Sequence, residues 1–296
     1  MRQPRAALIP RLLLLGVAAA APLLAHPPVG IVRDAAGNVF YSDLEQVWRI
    51  APDGSKSVAV PAVHTHELAL DAAGNLYGEH VWYEGEKTDR WGHRVWVRHP
   101  DGRIEDVYPA RSGFRTDYQF TRDARGNHYW IDRANPSTVR RRSFDVPGGR
   151  EAIVATLPPA IDGASIGWMT VAPEGTIFFT AERDLYRVAV DGAVRPLAAG
   201  LGTTSGSRPA ATGKHVLMGL WLDAEGRVYV AAWGEGNVKR VTQTGKVEVF
   251  AHSTWPWGPT GGVFAPNGDL DLLETSVTSA VRVRRIAAVG GKSVVF

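Results

Sequence analysis

The segment HTHELALDAAGNLYGEH, residues 64–80, concentrates side chains that bind metals and transfer protons. It holds three of the nine histidines in the chain together with two glutamates. Imidazole nitrogens and carboxylate oxygens are ligands that zinc and similar divalent ions accept, and a carboxylate also serves as a general base. This segment is therefore the first candidate for a functional site.

The spacing of these side chains predicts a single cluster. His64 and His66 are two residues apart, so on a β-strand they point to the same side. If Leu70 pairs with Asn75 across the turn between them, His66 lies opposite Glu79. The cluster predicted in this way consists of His64, His66, Glu79 and His80. Such a cluster can hold one divalent metal ion such as zinc, line a pocket without a metal, or merely cap strand ends.

The same segment is one of six repeats. Each repeat has a short apolar strand, a four-residue turn ending in glycine, and a second strand rich in aromatic or β-branched residues. The turn glycines are Gly37, Gly74, Gly126, Gly175, Gly226 and Gly268, which lie 37 to 52 residues apart. Aspartate at the first position of such a turn hydrogen-bonds the turn backbone, and glycine at the last position adopts a left-handed conformation without steric strain. The pattern predicts six β-hairpins.

A second hairpin follows in most repeats. VWRIAPDG, RVWVRHPDG, LYRVAVDG and VKRVTQTG begin at residues 47, 94, 185 and 238, and each is an alternating strand that ends in a glycine turn. Sheets with two apolar faces must be covered on both sides, and a radial arrangement covers every face. We therefore predict an all-β fold, a six-bladed β-propeller of four-stranded antiparallel blades. Blade 6 takes its outer strands from residues 280–287 and 292–296, so no strand is borrowed from the N-terminal segment.

The stretch PPVGIVRDAAGNVFYSD, followed by VWRIAPDG, resembles the NHL repeat and the wider superfamily of gluconolactonase-like and strictosidine-synthase-like propellers. The resemblance implies a metal near the central axis, held by Glu, Asn and Asp side chains at the starts of the inner strands. The matching positions are Val29, His66, Tyr118, Gly167, Met218 and Thr260. Among them His66 alone binds metals well, and its neighbourhood His66-Glu67-Leu68 also resembles a zinc site of the peptidyl-hydroxyglycine amidating lyase propeller.

A propeller places two more candidate ligands at the same end of the channel. His215 opens the inner strand of blade 5, which lies diametrically opposite blade 2 in a ring of six, and Asp117 precedes the inner strand of blade 3. The metal ligands predicted in this way are His66, His64, His215, His80 and Asp117. Glu79 or Glu67 is the expected general base if the site is catalytic.

Residues 81–96, VWYEGEKTDRWGHRVW, form an aromatic-rich excursion in blade 2. Its aromatic residues and histidine are Trp82, Tyr83, Trp91, His93 and Trp96. They can form a platform for a sugar or another flat ligand, or, as is commoner, fill the space between blades. Residues 200–214 are rich in glycine, serine and threonine, and we expect them to form a loop over the pocket face.

The N-terminus has the layout of a secretory signal peptide, with a basic start, an apolar run and a small residue at the end. Residues 1–25 contain three arginines and no acid, so 30 basic and 30 acidic residues remain without them. This balance does not favour nucleic acid or an anionic membrane as a partner. The chain has no cysteine, so an exported form must rely on a hydrophobic core. We expect a signal peptide over 1–25 and one propeller domain over 26–296, secreted or periplasmic.

Two classes of function are compatible with these features. The first is a monomeric binding propeller that takes a small molecule or a protein partner at its central pocket face. The second is a metal-dependent hydrolase or lyase acting on a lactone or another carbonyl substrate, in which the metal polarises the carbonyl group or activates a water. The missing family ligands favour the first class, and the cluster of histidines and carboxylates favours the second.

Overall fold

The computed structural model describes residues 27–85, 87–88, 90–113, 121–134, 136–143, 149–162, 164, 166–203 and 216–296. These residues form six four-stranded antiparallel sheets, and the strands of each sheet follow one another in the chain. The predicted six-bladed β-propeller is therefore confirmed. One 3-10 turn, Trp233–Glu235, is the helical element in the described part of the chain. No helix in that part is long and apolar enough to cross a membrane.

The first three blades are built from the first twelve strands. Blade 1 consists of β1 (Ile31–Arg33), β2 (Val39–Ser42), β3 (Val47–Ile50) and β4 (Lys56–Val60). Blade 2 consists of β5 (Leu68–Leu70), β6 (Leu76–Tyr83), β7 (Trp91–Arg98) and β8 (Ile104–Ser112). Blade 3 consists of β9 (Thr121–Arg122), β10 (His128–Asp132), β11 (Thr138–Arg142) and β12 (Glu151–Thr156).

The last three blades repeat this order. Blade 4 consists of β13 (Ile166–Val171), β14 (Ile177–Ala181), β15 (Asp184–Val188) and β16 (Val194–Ala198). Blade 5 consists of β17 (Leu220–Leu222), β18 (Val228–Ala232), β19 (Asn237–Val241) and β20 (Val247–His252). Blade 6 consists of β21 (Trp257–Phe264), β22 (Leu270–Ser276), β23 (Val281–Ile286) and β24 (Ser293–Val295), so its outer strands are its own, as predicted.

The repeated turn is fixed by its aspartate. In blade 2, Asp71 accepts the N–H of Asn75 on its Oδ1 at 2.9 Å, and its carbonyl accepts the N–H of Gly74 at 3.0 Å. Gly74 has a φ of +79°, which favours glycine. The hydroxyl of Tyr77 donates to Asp71 Oδ2 at 3.0 Å, so the same carboxylate ties the turn to the following strand. This explains why aspartate, glycine and an aromatic residue recur together.

The hydrophobic core lies between neighbouring blades. Phe40 and Val47 of blade 1 pack with Leu68 and Trp96 of blade 2, and equivalent clusters separate other neighbours. The six innermost strands, β1, β5, β9, β13, β17 and β21, contact one another in a closed ring. Burial of both faces of each sheet by its neighbours is what makes a radial arrangement stable.

Side chains close the ring between blade 6 and blade 1. Arg33 on β1 donates to Asp271 on β22 at 2.7 Å, and Arg285 on β23 donates to the same carboxylate at 2.7 Å. Asp271 is completely buried. A carboxylate withdrawn from water requires such partners, so this ion pair holds the first and last blades in register.

Candidate functional site at the mouth of the channel

The inner strands begin side by side at one end of the channel, which we call the pocket face. The carbonyl of His66 accepts the N–H groups of Val29 and Gly30 at 3.0 and 2.7 Å, which joins the entry of blade 2 to blade 1. Between blades 5 and 6, Gly219 donates its N–H to the carbonyl of Thr260 at 2.9 Å. His66 therefore lies at the channel mouth, as the sequence predicts.

The predicted register of blade 2 is wrong by one residue. Leu70 pairs with Leu76, not with Asn75, and β5 begins at Leu68 instead of at the histidines. The reason lies in the turn, because Asp71 donates its N–H to the carbonyl of Asn75 at 3.1 Å. Asn75 thus belongs to the turn and is not available to pair with Leu70.

Glu79 nevertheless reaches His66 with its side chain. The backbone N–H of His66 donates to Glu79 Oε1 at 3.2 Å, and the ring nitrogen Nδ1 of His66 lies 3.4 Å from the same oxygen. The backbone of Glu79 is fixed as well, because its carbonyl accepts the Trp96 indole N–H at 2.8 Å and the Thr65 hydroxyl. The two candidate residues therefore form a close pair on a rigid support.

Burial keeps this pair uncharged. The Glu79 side chain is 5% exposed, and among the residues that the structure describes no lysine or arginine forms an ion pair with it. Loss of hydration raises the pKa of Glu79 to about 8, and the same effect lowers the pKa of His66 to about 4. At neutral pH the carboxyl group carries its proton and the imidazole is neutral.

His64 and His80 lie beside the pair and are hydrogen-bonded to each other. The backbone N–H of His64 donates to the ring nitrogen Nδ1 of His80 at 2.8 Å, and the ring centroids of His64 and His66 are 4.8 Å apart. The His80 ring stacks on Trp82 at 5.4 Å. Burial lowers the pKa of His64 to about 4, with His66 contributing, and it also lowers the pKa of His80. Both rings are therefore neutral at pH 7.

The histidines and Glu79 do not converge on one point. Glu79 and His80 are neighbours on β6, so their side chains point to opposite faces of the sheet. Over the described ranges, no three His, Asp or Glu side chains come together in a way that could hold a metal ion. His215 and Asp117 lie outside the described residues, so their predicted part in a metal site stays a prediction.

The residues that the structure places at the mouth do not fit a calcium or zinc ion by themselves. Calcium requires six to eight oxygen ligands, whereas Val29, Met218 and the buried Thr260 occupy three of the inner-strand starts. Structural and catalytic zinc requires at least three protein ligands, and the described residues supply His66 and Glu79. Glu67, the other predicted base, is half-buried immediately before β5.

The sequence places His93 in the aromatic-rich excursion of blade 2 and not in the cluster around Glu79. In the structure His93 is completely buried and shares a face of blade 2 with Glu79, because it pairs with Val81. Its position follows from strand alternation once the register of β6 and β7 is known. Trp168 on β13 and Trp257 on β21 belong to the innermost strands, and the sequence pattern does not single them out.

Comparison with solved structures places this fold among known propellers. Virginiamycin B lyase from Staphylococcus aureus is 15% identical, with a TM-score of 0.54 over 91% of this chain and 84% of that one. The gluconolactonase XC5397 from Xanthomonas campestris is 16% identical, with a TM-score of 0.54 over 84% and 82%. The calcium-binding protein regucalcin from Agrobacterium tumefaciens is 17% identical, with a TM-score of 0.51 over 84% and 81%. These similarities confirm the predicted likeness to gluconolactonase-like six-bladed propellers as a likeness of fold.

No protein-family model and no curated protein matches the sequence.

Proposed function

We propose that the protein binds a small molecule at the mouth of its channel, with Glu79 and His66 as the polar contacts. The observation that supports this most is the buried Glu79 carboxyl group, which no described lysine or arginine neutralises although it lies beside the mouth. Keeping such a group costs stability unless a partner compensates it. Ligand pockets commonly hold a few polar groups of this kind among apolar residues.

The state of the pair defines the chemistry of the ligand. A protonated Glu79 can donate a hydrogen bond, and the neutral His66 ring has one donor and one acceptor nitrogen. The His66 side chain is 18% exposed, so a ligand approaches the pair through the imidazole. We expect an uncharged polar group, such as a carbonyl or a hydroxyl, to bind there. The apolar residues Val29 and Trp168 near the strand starts then contact the rest of the ligand.

A second candidate function is a hydrolase or lyase that acts on a lactone or another carbonyl compound. The displacement of the Glu79 and His66 pKa values in opposite directions favours it, because acid–base catalysts are often tuned by burial in this way. A gluconolactonase and two streptogramin-type lyases share the fold. The staphylococcal virginiamycin B lyase is catalytically inactive when one histidine is replaced by alanine. In this chain the neutral His66 would accept a proton from the substrate or the attacking water, and the protonated Glu79 would donate its own proton to the leaving oxygen. Transfer of the proton from His66 to Glu79 would then restore the starting state.

Ligand screening by thermal shift tests the binding function. Wild-type protein, His66→Ala and Glu79→Gln are compared against a metabolite library that includes D-glucono-1,5-lactone and the streptogramin quinupristin. A true ligand raises the Tm of the wild type and of the control His252→Ala, whose ring lies on the surface against Asn237. It raises the Tm of the two site variants less. A library in which every stabilising compound acts equally on all four proteins would contradict the proposal.

Turnover separates the two functions. Each compound that stabilises the wild type is incubated with the protein, and its products are followed by mass spectrometry. A ligand recovered unchanged supports a binding protein, whereas conversion that is lost in both His66→Ala and Glu79→Gln supports the enzyme.

Elemental analysis addresses the predicted metal ion. One equivalent of zinc or a similar ion in the wild type, lost in His66→Ala and His215→Ala, would support a metal site completed by residues outside the described ranges. Metal-free wild type whose Tm does not respond to divalent ions would leave Glu79 and His66 as a proton-bearing pair.

We also propose that the protein is exported as a monomer after removal of residues 1–25. The basic and apolar layout of those residues supports export. Cell fractionation with N-terminal sequencing and size-exclusion chromatography with light scattering test the two parts. Full-length protein in the cytosol, or a stable dimer, would contradict them.

A further inference from the structure

Three side chains at the pocket end of blade 6 form one contacting group. Trp257 is the first residue of β21 and Arg282 is the second residue of β23, so both lie where blade 6 meets the pocket face. The guanidinium carbon of Arg282 lies over the Trp257 ring, 4.1 Å from its centroid. Arg282 Nε also donates to Glu274 Oε2 at 2.7 Å. The protein therefore holds the guanidinium group by one face and by one of its nitrogens.

The group is anchored on blade 5 as well as on blade 6. Glu274 accepts the hydroxyl of Ser253, which follows β20 of blade 5, on its Oε1 at 2.6 Å. Arg284 donates to the same oxygen at 2.9 Å and to the carbonyl of His252 at 2.8 Å. Because these contacts cross from one blade to the next, they fix the position of the buried carboxylate that holds Arg282.

This group carries one uncompensated positive charge. Glu274 is completely buried and is shared by Arg282 and Arg284. Among the residues that the structure describes, no second carboxylate forms an ion pair with either arginine. Arginine stays protonated in proteins, so two guanidinium charges against one carboxylate leave a surplus of one positive charge.

The terminal nitrogens of Arg282 are the unused part of the group. Arg284 engages both Nε and Nη2, with Glu274 and with the carbonyl of His252. Nη1 and Nη2 of Arg282, in contrast, form no hydrogen bond or ion pair with any described residue. The Arg282 side chain is 20% exposed, so a ligand can reach these nitrogens from solvent. They form a planar fork that matches the two oxygens of a carboxylate.

We propose that Arg282 binds the carboxylate group of a small-molecule ligand through its two terminal nitrogens. Stacking on Trp257 and the bond to Glu274 fix the guanidinium group before the ligand arrives, which lowers the entropy cost of binding. A carboxylate carries the single negative charge that the group leaves uncompensated, whereas a phosphate carries up to two. An amine or another cation is repelled by the surplus positive charge.

This site does not depend on the function proposed for Glu79 and His66. It is built from blades 5 and 6, whereas those two residues belong to blade 2. A change at one site should therefore leave binding at the other intact. Glu79→Gln serves as the variant in which the pair at the mouth alone is altered.

NMR titration with a simple carboxylate tests the proposal. The protein is labelled with 15N, and the signals of the Arg282 Nε–H and the Glu274 backbone N–H are followed while benzoate is added. We expect both signals to shift with a Kd of about 5 mM or tighter, as a single charge-assisted fork at a partly exposed site allows. Benzamide, which has the same shape without the charge, should shift neither signal, and inorganic phosphate should bind more weakly than benzoate.

Arg282→Lys is the decisive variant, because lysine keeps the charge and can still pair with Glu274 but lacks the fork. It should weaken benzoate binding at least about fivefold, measured on the Glu274 backbone signal. The matched control is Arg240→Lys, since Arg240 lies on the third strand of blade 5 and pairs with Glu248. It should leave the Kd unchanged. If Arg282→Lys does not fold, Trp257→Leu replaces it and should weaken binding about threefold through loss of the stacking.

Benzoate binding that persists in Glu79→Gln and is weakened in Arg282→Lys supports this site, whatever the pair at the mouth does. The proposal is overturned if about 50 mM benzoate shifts neither signal, or if benzamide shifts them equally. It is also overturned if Arg282→Lys binds benzoate as the wild type does, or if phosphate binds more tightly than benzoate.

Discussion

Blade 2 and blade 6 each bury a glutamate on their second strand, but the surroundings of the two differ. Glu274 on β22 is completely buried and accepts hydrogen bonds from Arg282 at 2.7 Å and Arg284 at 2.9 Å. Glu79 on β6 accepts a hydrogen bond from the backbone N–H of His66 at 3.2 Å, and the imidazole ring of His66 lies beside it. One carboxyl group is neutralised by two cations, and the other is kept neutral by its own proton.

One position of the third strand accounts for much of this contrast. Arg282 is the cross-strand partner of Glu274, whereas Val95 is the partner of Glu79. A cation opposite a buried carboxylate compensates its lost hydration, and an apolar side chain does not. A buried acid paired with cations serves the architecture. A buried acid that lacks them, next to an opening, is available to a ligand.

The largest expected effect on stability comes from removing Glu274, the glutamate that is paired with two arginines. Glu274→Ala leaves Arg282 and Arg284 half-buried without their counter-charge, so we expect the free energy of unfolding to fall by about 4 kcal/mol. Urea denaturation measures this change. The control is Glu248→Ala on β20, which removes exposed contacts with Arg240 and should have a much smaller effect. Equal losses in the two variants would mean that the blade 6 network does not hold the fold.

A smaller, pH-dependent effect on stability is expected for Glu79, which forms no ion pair with a lysine or arginine among the described residues. Folded Glu79 keeps its proton up to about pH 8, whereas an unfolded glutamate loses it near 4.5, so the folded state binds more protons between these values. The contribution of Glu79 to stability is therefore complete below pH 4.5 and is lost as the pH rises through 8. Glu79→Gln removes this dependence, so its stability relative to wild type should increase by on the order of 3 kcal/mol between pH 5 and pH 9.

Urea denaturation of both proteins across that range checks the sign. Histidines that do not contact Glu79 contribute to both curves equally and cancel in the difference between them. A difference that stays constant from pH 5 to pH 9 would show that Glu79 is ionised in the folded protein at neutral pH.

The smallest effect on stability comes from making blade 2 resemble blade 6. In Val95→Arg a guanidinium lies opposite Glu79, so the pKa of Glu79 should fall towards its ordinary value. The stability should fall by about 2 kcal/mol, because the ion pair and its desolvation nearly cancel while the larger side chain has to fit a packed site. Infrared spectroscopy of the protonated carboxyl group reports the change, and Val95→Leu is the control. A carboxyl group that stays protonated at pH 7 in Val95→Arg would show that the cross-strand residue does not decide the difference.

The fold could be predicted from sequence because its rules are local. Asp71, Gly74 and Tyr77 form one hydrogen-bonded turn, and the same residue types recur at the same spacing in other repeats. The ring then follows from the need to cover both faces of each sheet. The turns themselves do not depend on contacts between distant parts of the chain.

The site was harder to predict because it depends on a register shift of one residue in blade 2 and on the packing of side chains from neighbouring strands. The sequence does not show that Asn75 belongs to the turn, and this places His66 opposite a different residue than expected. Nor does it show that Val95, instead of a cation, lies against Glu79. The pairing of His66 with Glu79 through the side chain is a tertiary contact. The predicted roles of His215 and Asp117 remain untested.

The ion pair that joins blade 6 to blade 1 has a consequence for how the chain folds. Every described sheet pairs strands that are consecutive in the sequence, so each blade can form from local contacts with little loss of chain entropy. The contact between Arg33 and Asp271 instead spans 238 residues, so closing it costs more chain entropy than any contact within a blade. During synthesis the face of blade 1 that packs against Leu273 and Val283 of blade 6 therefore stays exposed until blade 6 has left the ribosome. A chaperone that protects the protein is expected to act on that face.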